Sequence, residues 1–190
     1  MDNYIIVFEG LDGTGKSTLA IELAKKINAI YYKTPPKQFN GRCIEMSCGN
    51  NFYTRERFLF FMDTFHTASN EIVQLLKNNS VVVDRWIWTT LSYHFANNIL
   101  IKNEWGDSWS DLTNKIAKPK FSFLLSLKDE TLLERARLTK TLSKNDWTLF
   151  KNKTLREEIY KIYLDLNPNF IVIQNDGTFE SSLDSIIKHL

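Results

Sequence analysis

Short runs of β-branched and aromatic residues recur along the chain at Tyr4–Glu9, Ala29–Lys33, Val81–Asp84, Phe121–Leu127 and Phe170–Gln174. They carry the bias of buried strands. Between them the apolar positions change to helical spacing. Ser17–Ile27 reads as a first helix and Glu56–Lys77 as a long one, with Phe58, Leu59, Phe61, Met62, Phe65, Ala68, Ile72, Leu75 and Leu76 in phase. Thr89–Ile99, Thr131–Thr139, Leu155–Leu166 and Ser182–Leu190 are further helices. Strands that are apolar on both faces and alternate with helices predict a parallel sheet covered on both sides, a three-layer α/β domain. Two polar segments, Thr34–Thr54 and Lys140–Lys153, break the alternation and read as functional loops.

Composition narrows the class. The 190 residues, 43% hydrophobic, suit one domain, residues 1–190, with a sizeable core. A net charge of +2 gives no global field for nucleic acid. The apolar runs fall far short of the ~20 residues of a membrane helix, and Met1-Asp2-Asn3 lacks the basic flank of a signal peptide. The expectation is a cytoplasmic protein binding neither nucleic acid nor membrane. Cys43 and Cys48 read as reduced thiols, because no second pair completes a zinc set, and His66, His94 and His189 are scattered.

Of seven glycines, three fall at Gly10, Gly13 and Gly15, directly after the first strand. Gly10-Leu-Asp-Gly-Thr-Gly15-Lys16-Ser17 fits G-x-x-x-x-G-K-[ST] between a strand and a helix, the setting a phosphate-binding P-loop requires. Glycine lets the loop aim successive N–H groups, those of Gly13, Thr14 and Gly15 among them, at phosphate oxygens, and the helix start at Ser17 and Thr18 adds donors and a positive dipole end. Lys16 would reach the β- and γ-phosphates of ATP, and the Ser17 hydroxyl would serve Mg²⁺. "SVVVDRW" ends a strand in Asp84 and Arg85. Ligands sit at the carboxyl ends of parallel strands, so Asp84 either joins Ser17 at Mg²⁺ or caps the next helix.

"FEGLDGTGKST", "DRWIWTTLSYHFA", "FLFFMDTFHT" and "DETLLERARLTK" together resemble, in order, the thymidylate kinase family. The resemblance implies a P-loop NTPase fold with a five-stranded parallel sheet, helices on both faces and a mobile lid at about 135–153, with an acceptor-binding region at about 34–77. It implies transfer of the γ-phosphate of ATP to a nucleoside monophosphate, dTMP in most of the family, and commonly a homodimer through long helices. By the same match, Asp12 faces the acceptor sugar, Arg85 its phosphate, Phe60 its base and Tyr93 its sugar and base; Pro35 lies in the acceptor loop, and Arg135 is a lid arginine near ATP. Lys16, Arg85 and Arg135 are then the catalytic cations. On periodicity alone, Phe60 is equally a core residue and Arg135 equally a solvated helix charge.

This chain departs from the family pattern at three places. "YYKTPPKQF" lacks the usual acceptor-loop arginine, which leaves Lys33, Lys37, Arg42, Arg55 or Arg57 to supply that cation. Thr64 stands four residues after Phe60, where an arginine usually reads the thymine carbonyl. The P-loop has no basic residue between its glycines, which turns attention to Arg135, Arg137 and Lys140. "KTPP" and the Asp-Arg segment are also similar to the mitochondrial UMP-CMP kinase branch, and the Asp-Arg motif is similar to one in deoxynucleoside kinases. A P-loop switch or regulatory ATPase is the alternative from another class, although no water-orienting residue stands out.

Overall fold

The computed structural model describes residues 2–47, 54–97, 113–138 and 149–190. Its centre is a parallel sheet of five strands in the order β2-β3-β1-β4-β5: β1 Ile5–Gly10, β2 Ile30–Lys33, β3 Val81–Asp84, β4 Phe121–Ser126 and β5 Ile171–Gln174. All five match the expected runs, shifted by a residue or two at the ends. β1 is central, pairing Ile5 with Val81 on one side and Ile6 with Phe121 on the other.

The pleat sends alternate residues of β1 to opposite layers. Ile5 and Val7 pack with Val81 and Val83 against Phe58, Met62, Phe65, Ala68 and Ile72 of α3 (Arg55–Leu75). Ile6 and Phe8 pack with Phe123 and Leu125 against Leu19, Ala20 and Leu23 of α1 (Lys16–Lys26) and Leu183 and Ile186 of α7 (Phe179–Ile187). A third cluster joins Leu11 and Tyr93 of α4 (Ile87–Ala96) to Leu132 and Ala136 of α5 (Asp129–Leu138) and Ile159 and Tyr163 of α6 (Lys153–Leu166). This cluster sits beside the P-loop, so the site rests on packed helices.

Two expectations need correction. Within the segment read as irregular, Lys37–Phe39 forms a 3-10 turn and Asn40–Ser47 an α-helix, α2, despite Gly41 in its first turn. Tertiary context overrides weak propensity here. Helix α4 also begins two residues before Thr89. Its cap is not a neighbouring Ser, Thr, Asp or Asn but a carboxylate from another strand, which local sequence cannot reveal. Of the second polar segment, residues 139–148 lie outside the described ones, as do Cys48 and Lys140. Among the described residues, no helix is long and apolar enough to cross a membrane.

Candidate active site

The P-loop turns from β1 into α1. Gly10 has φ +135°, and a Cβ there would stand 2.5 Å from the Leu125 carbonyl oxygen, so both conformation and space require glycine. Gly15 has φ +90°, and a Cβ on it would meet Asn175 Nδ2 at 2.7 Å. That amide donates to the Thr14 carbonyl at 2.7 Å, fixing the loop from beyond β5. No side chain caps the start of α1, which keeps its first N–H groups pointed at the loop.

Lys16 is buried, and its Nζ donates to the Leu11 carbonyl at 2.6 Å. Burial, then the charge of Arg85, pulls its pKa down to about 8, against the opposite pull of Asp12, Asp84 and Glu9. Arg85 donates from Nη2 to Asp12 Oδ1, and Tyr93 donates from its hydroxyl to Asp12 Oδ2 at 3.4 Å. Burial pushes the Asp12 carboxyl up, but the charges of Arg85 and Lys16 outweigh it and hold the pKa below the ordinary value. Arg85 keeps its charge for the reciprocal reason: Asp12 overcomes the desolvation. Its φ of +72° is left-handed, a conformation costing a non-glycine residue roughly 1–2 kcal/mol. The Arg85 N–H donates to the Phe8 carbonyl at 3.0 Å, and its carbonyl accepts from Thr34 Oγ1 at 2.8 Å, which together hold that turn.

Asp84 is fully buried at the end of β3. Its Oδ2 accepts from Ser17 Oγ at 2.6 Å and from the Tyr31 hydroxyl at 3.0 Å. Its Oδ1 has no hydrogen-bond partner among the described residues. A buried carboxylate oxygen beside a P-loop serine, with a lone pair unspent, is a donor set that suits Mg²⁺ or a water bound to it.

Two cavities meet here. One, of about 650 Å³, is lined by Gly13, Gly15, Lys16, Ser17, Thr18 and Arg135. The other, of about 300 Å³, runs past Pro35, Arg57, Phe61, Phe65, Tyr93 and His94. Asp12, Lys33 and Arg85 line both. Arg135 Nη2 donates to the Asn175 carbonyl at 2.9 Å, so it belongs to the P-loop cavity, whereas Arg137 is exposed and lines neither.

The structure places the two α3 candidates, Phe60 and Thr64, off the wall of the smaller cavity. Phe60 packs on Phe39 and Phe61, with ring centroids 6.0 and 5.4 Å away, and does not line the smaller cavity. Thr64 is fully buried, and its hydroxyl donates to the Phe61 carbonyl at 2.7 Å. A step of one residue turns a helix by about 100°, so Arg57, Phe61 and Phe65 share the cavity face while Phe60 and Thr64 lie on the neighbouring one. Periodicity alone did not choose between the adjacent phenylalanines. Of the candidate acceptor-loop cations, Lys33 and Arg57 line the cavity; Lys37, Arg42 and Arg55 do not, and Arg42 pairs with Glu45 at 2.7 Å.

Sequence reasoning also missed Glu9, His94 and Tyr31. Glu9 Oε1 accepts the backbone N–H groups of Trp86 and Thr89, each at 3.0 Å, and Oε2 accepts from Thr89 Oγ1. The carboxylate thereby caps α4 and anchors the turn that carries Arg85. Its pKa is pushed up to about 7, by burial foremost, with the Thr89 hydroxyl and Arg85 pulling the other way. His94 Nδ1 lies 2.6 Å from the Thr90 carbonyl, which can only accept, so Nδ1 carries the proton. Burial lowers the pKa of its ring to about 4, leaving it neutral near pH 7.

Comparison with known proteins gives one family. Residues 8–186 match the family model described as thymidylate kinase. The chain is 32% identical over 180 residues to a probable thymidylate kinase of Methanocaldococcus jannaschii, covering 91% of this chain and 87% of that protein. It is 31% identical over 167 residues to a thymidylate kinase of African swine fever virus, covering 82% of this chain and 65% of that one. In fold it is similar to the thymidylate kinase of Candida albicans, with a TM-score of 0.73 at 19% identity over 99% of this chain and 90% of that one. The thymidylate kinase of Ehrlichia chaffeensis gives 0.70 at 18% identity over 100% and 99%.

Proposed function

The chain belongs to the thymidylate kinase family and is a phosphotransferase acting on a nucleoside monophosphate; from that premise we propose that it moves the γ-phosphate of ATP to dTMP, giving ADP and dTDP. The observation that carries this reading is the meeting of the P-loop cavity and the smaller cavity at Asp12, Lys33 and Arg85. ATP occupies the first and the monophosphate the second, so the two phosphates converge on the cations between them. The smaller cavity, about 300 Å³, is at the low end of small-ligand sites, as a mononucleotide requires.

Phosphoryl transfer asks the protein mainly to position two anions and to neutralise charge spreading over the moving group. The P-loop N–H groups cradle the donor phosphates, and the Lys16 ammonium exchanges the Leu11 carbonyl for β- and γ-oxygens. Arg85 meets the acceptor phosphate; Asp12 aims that guanidinium and, with Tyr93, faces the acceptor sugar. Arg135 supplies a cation from the donor side. Ser17 and Asp84 would hold Mg²⁺, which would supply further charge neutralisation at the site. Phe61 and Phe65 flank the acceptor base in place of Phe60, and Arg57 and His94 furnish the polar groups for its edge.

The enzyme is proposed to work as a single domain in the cytoplasm, and as a homodimer through α3, whose Leu59 and Val73 are nearly half exposed. Coupled ADP release across dTMP, dUMP, dCMP, UMP and CMP tests the function. ADP release that rises at least tenfold on adding dTMP is the expected result. Release indifferent to every monophosphate would favour a regulatory ATPase, and a preference for UMP or CMP the other branch.

A further inference from the structure

The sequence alternation of β2 sends two adjacent tyrosines to opposite layers. The Tyr32 hydroxyl donates to Glu71 of α3 at 2.6 Å, whereas the Tyr31 hydroxyl donates to Asp84 Oδ2 at 3.0 Å. Strand pairing fixes that reach, because Tyr31 lies opposite Val82, two residues before Asp84. Asp84 Oδ2 therefore receives two donors, Ser17 Oγ and the Tyr31 hydroxyl, while Oδ1 receives none among the described residues.

That asymmetry decides which carboxylate oxygen serves a ligand. With Ser17 as the only donor, the carboxylate could turn about its last bond and exchange its oxygens. Two donors converging from α1 and β2 pin Oδ2 and leave Oδ1 as the acceptor that remains to be satisfied. We propose that Tyr31 is a positioning residue for the divalent cation, locking the Asp84 carboxylate so that Oδ1 is the oxygen offered to the ion or its water. The proposal rests on the kinase reading above, which places Mg²⁺ at Ser17 and Asp84. Tyr31 acts through Asp84 and is assigned no contact with substrate.

The test is Mn²⁺ binding in the presence of ADP, followed by electron paramagnetic resonance on the parent, Tyr31→Phe, Ser17→Ala and Asp84→Asn. Loss of an outer-sphere partner of this kind typically weakens metal affinity 10–100-fold. The expected result for Tyr31→Phe is a Kd for Mn²⁺ raised about tenfold, with ADP affinity in EDTA and the metal-free Tm unchanged. An unchanged Kd in Tyr31→Phe alongside weakened binding in Asp84→Asn would overturn the role of Tyr31 alone. Unchanged binding in all three variants would overturn the metal assignment and this proposal with it. A Tyr31→Phe protein that also lost ADP binding in EDTA would show a general structural role and would equally overturn it.

Discussion

Glu9 accepts the backbone N–H of Thr89 at 3.0 Å across 80 residues of sequence, tying the end of the central strand to the first turn of α4. The same carboxylate holds the N–H of Trp86, immediately after the left-handed Arg85. Truncating it removes the acceptor of the Trp86 and Thr89 N–H groups and of the Thr89 hydroxyl, and loosens the turn that aims the arginine. Glu9→Ala should lower stability by roughly 2–4 kcal/mol and reduce kcat/KM for the monophosphate more than for ATP. Urea unfolding and separate saturation curves check both effects. Glu9→Gln, which keeps an acceptor oxygen, should recover most of the loss.

Thr64 is the position where arginine would be expected to change the base read, yet its side chain is fully buried beside the cavity face. Thr64→Arg should therefore destabilise the fold by several kcal/mol, since a guanidinium would be buried without a partner, rather than increase preference for dTMP. Arg57→Ala, one turn before Phe61, should instead raise KM for the monophosphate with little change for ATP. A stable Thr64→Arg enzyme with altered base preference would contradict the observed helix face.

Lys16→Ala should leave the fold intact and cost on the order of 10³-fold in kcat, the scale of a lost transition-state cation. Circular dichroism and turnover measured on the same preparation separate the two. Turnover within about threefold of the parent would remove the P-loop assignment.

His94 should make stability depend on pH. Its pKa falls from 6.5 to about 4 on folding, chiefly through burial, with the charge of Arg57 acting in the same direction against the Thr90 hydrogen bond. The unfolded chain then binds the proton more tightly, so this contribution is fully present above pH 6.5 and is lost as pH falls toward 4. A difference on the order of 3 kcal/mol is expected between the ends of that window. Comparing urea midpoints of the parent and His94→Gln from pH 4 to 7 checks it; the variant should show the smaller slope.

Sequence alone determined the positions of all five strands along the chain, the phosphate loop and the strand-end Asp84 and Arg85. Those features rest on local periodicity and on backbone geometry that glycine supplies: Gly10 has φ +135°, a conformation L side chains rarely adopt. Family resemblance narrowed the chemistry, but the tertiary structure decided which side chains reach it. Which of Phe60 and Phe61 faces the smaller cavity depends on how α3 is rotated against the sheet, a property of packing that nine in-phase apolar residues leave free by about one position. The cap on α4, the Asn175 brace on the P-loop and the Tyr31 hold on Asp84 join residues separated by 77, 161 and 53 positions. No local pattern encodes such pairings, because each forms only after the strands have taken their order and brought distant carboxylates, amides and hydroxyls to the same edge of the sheet.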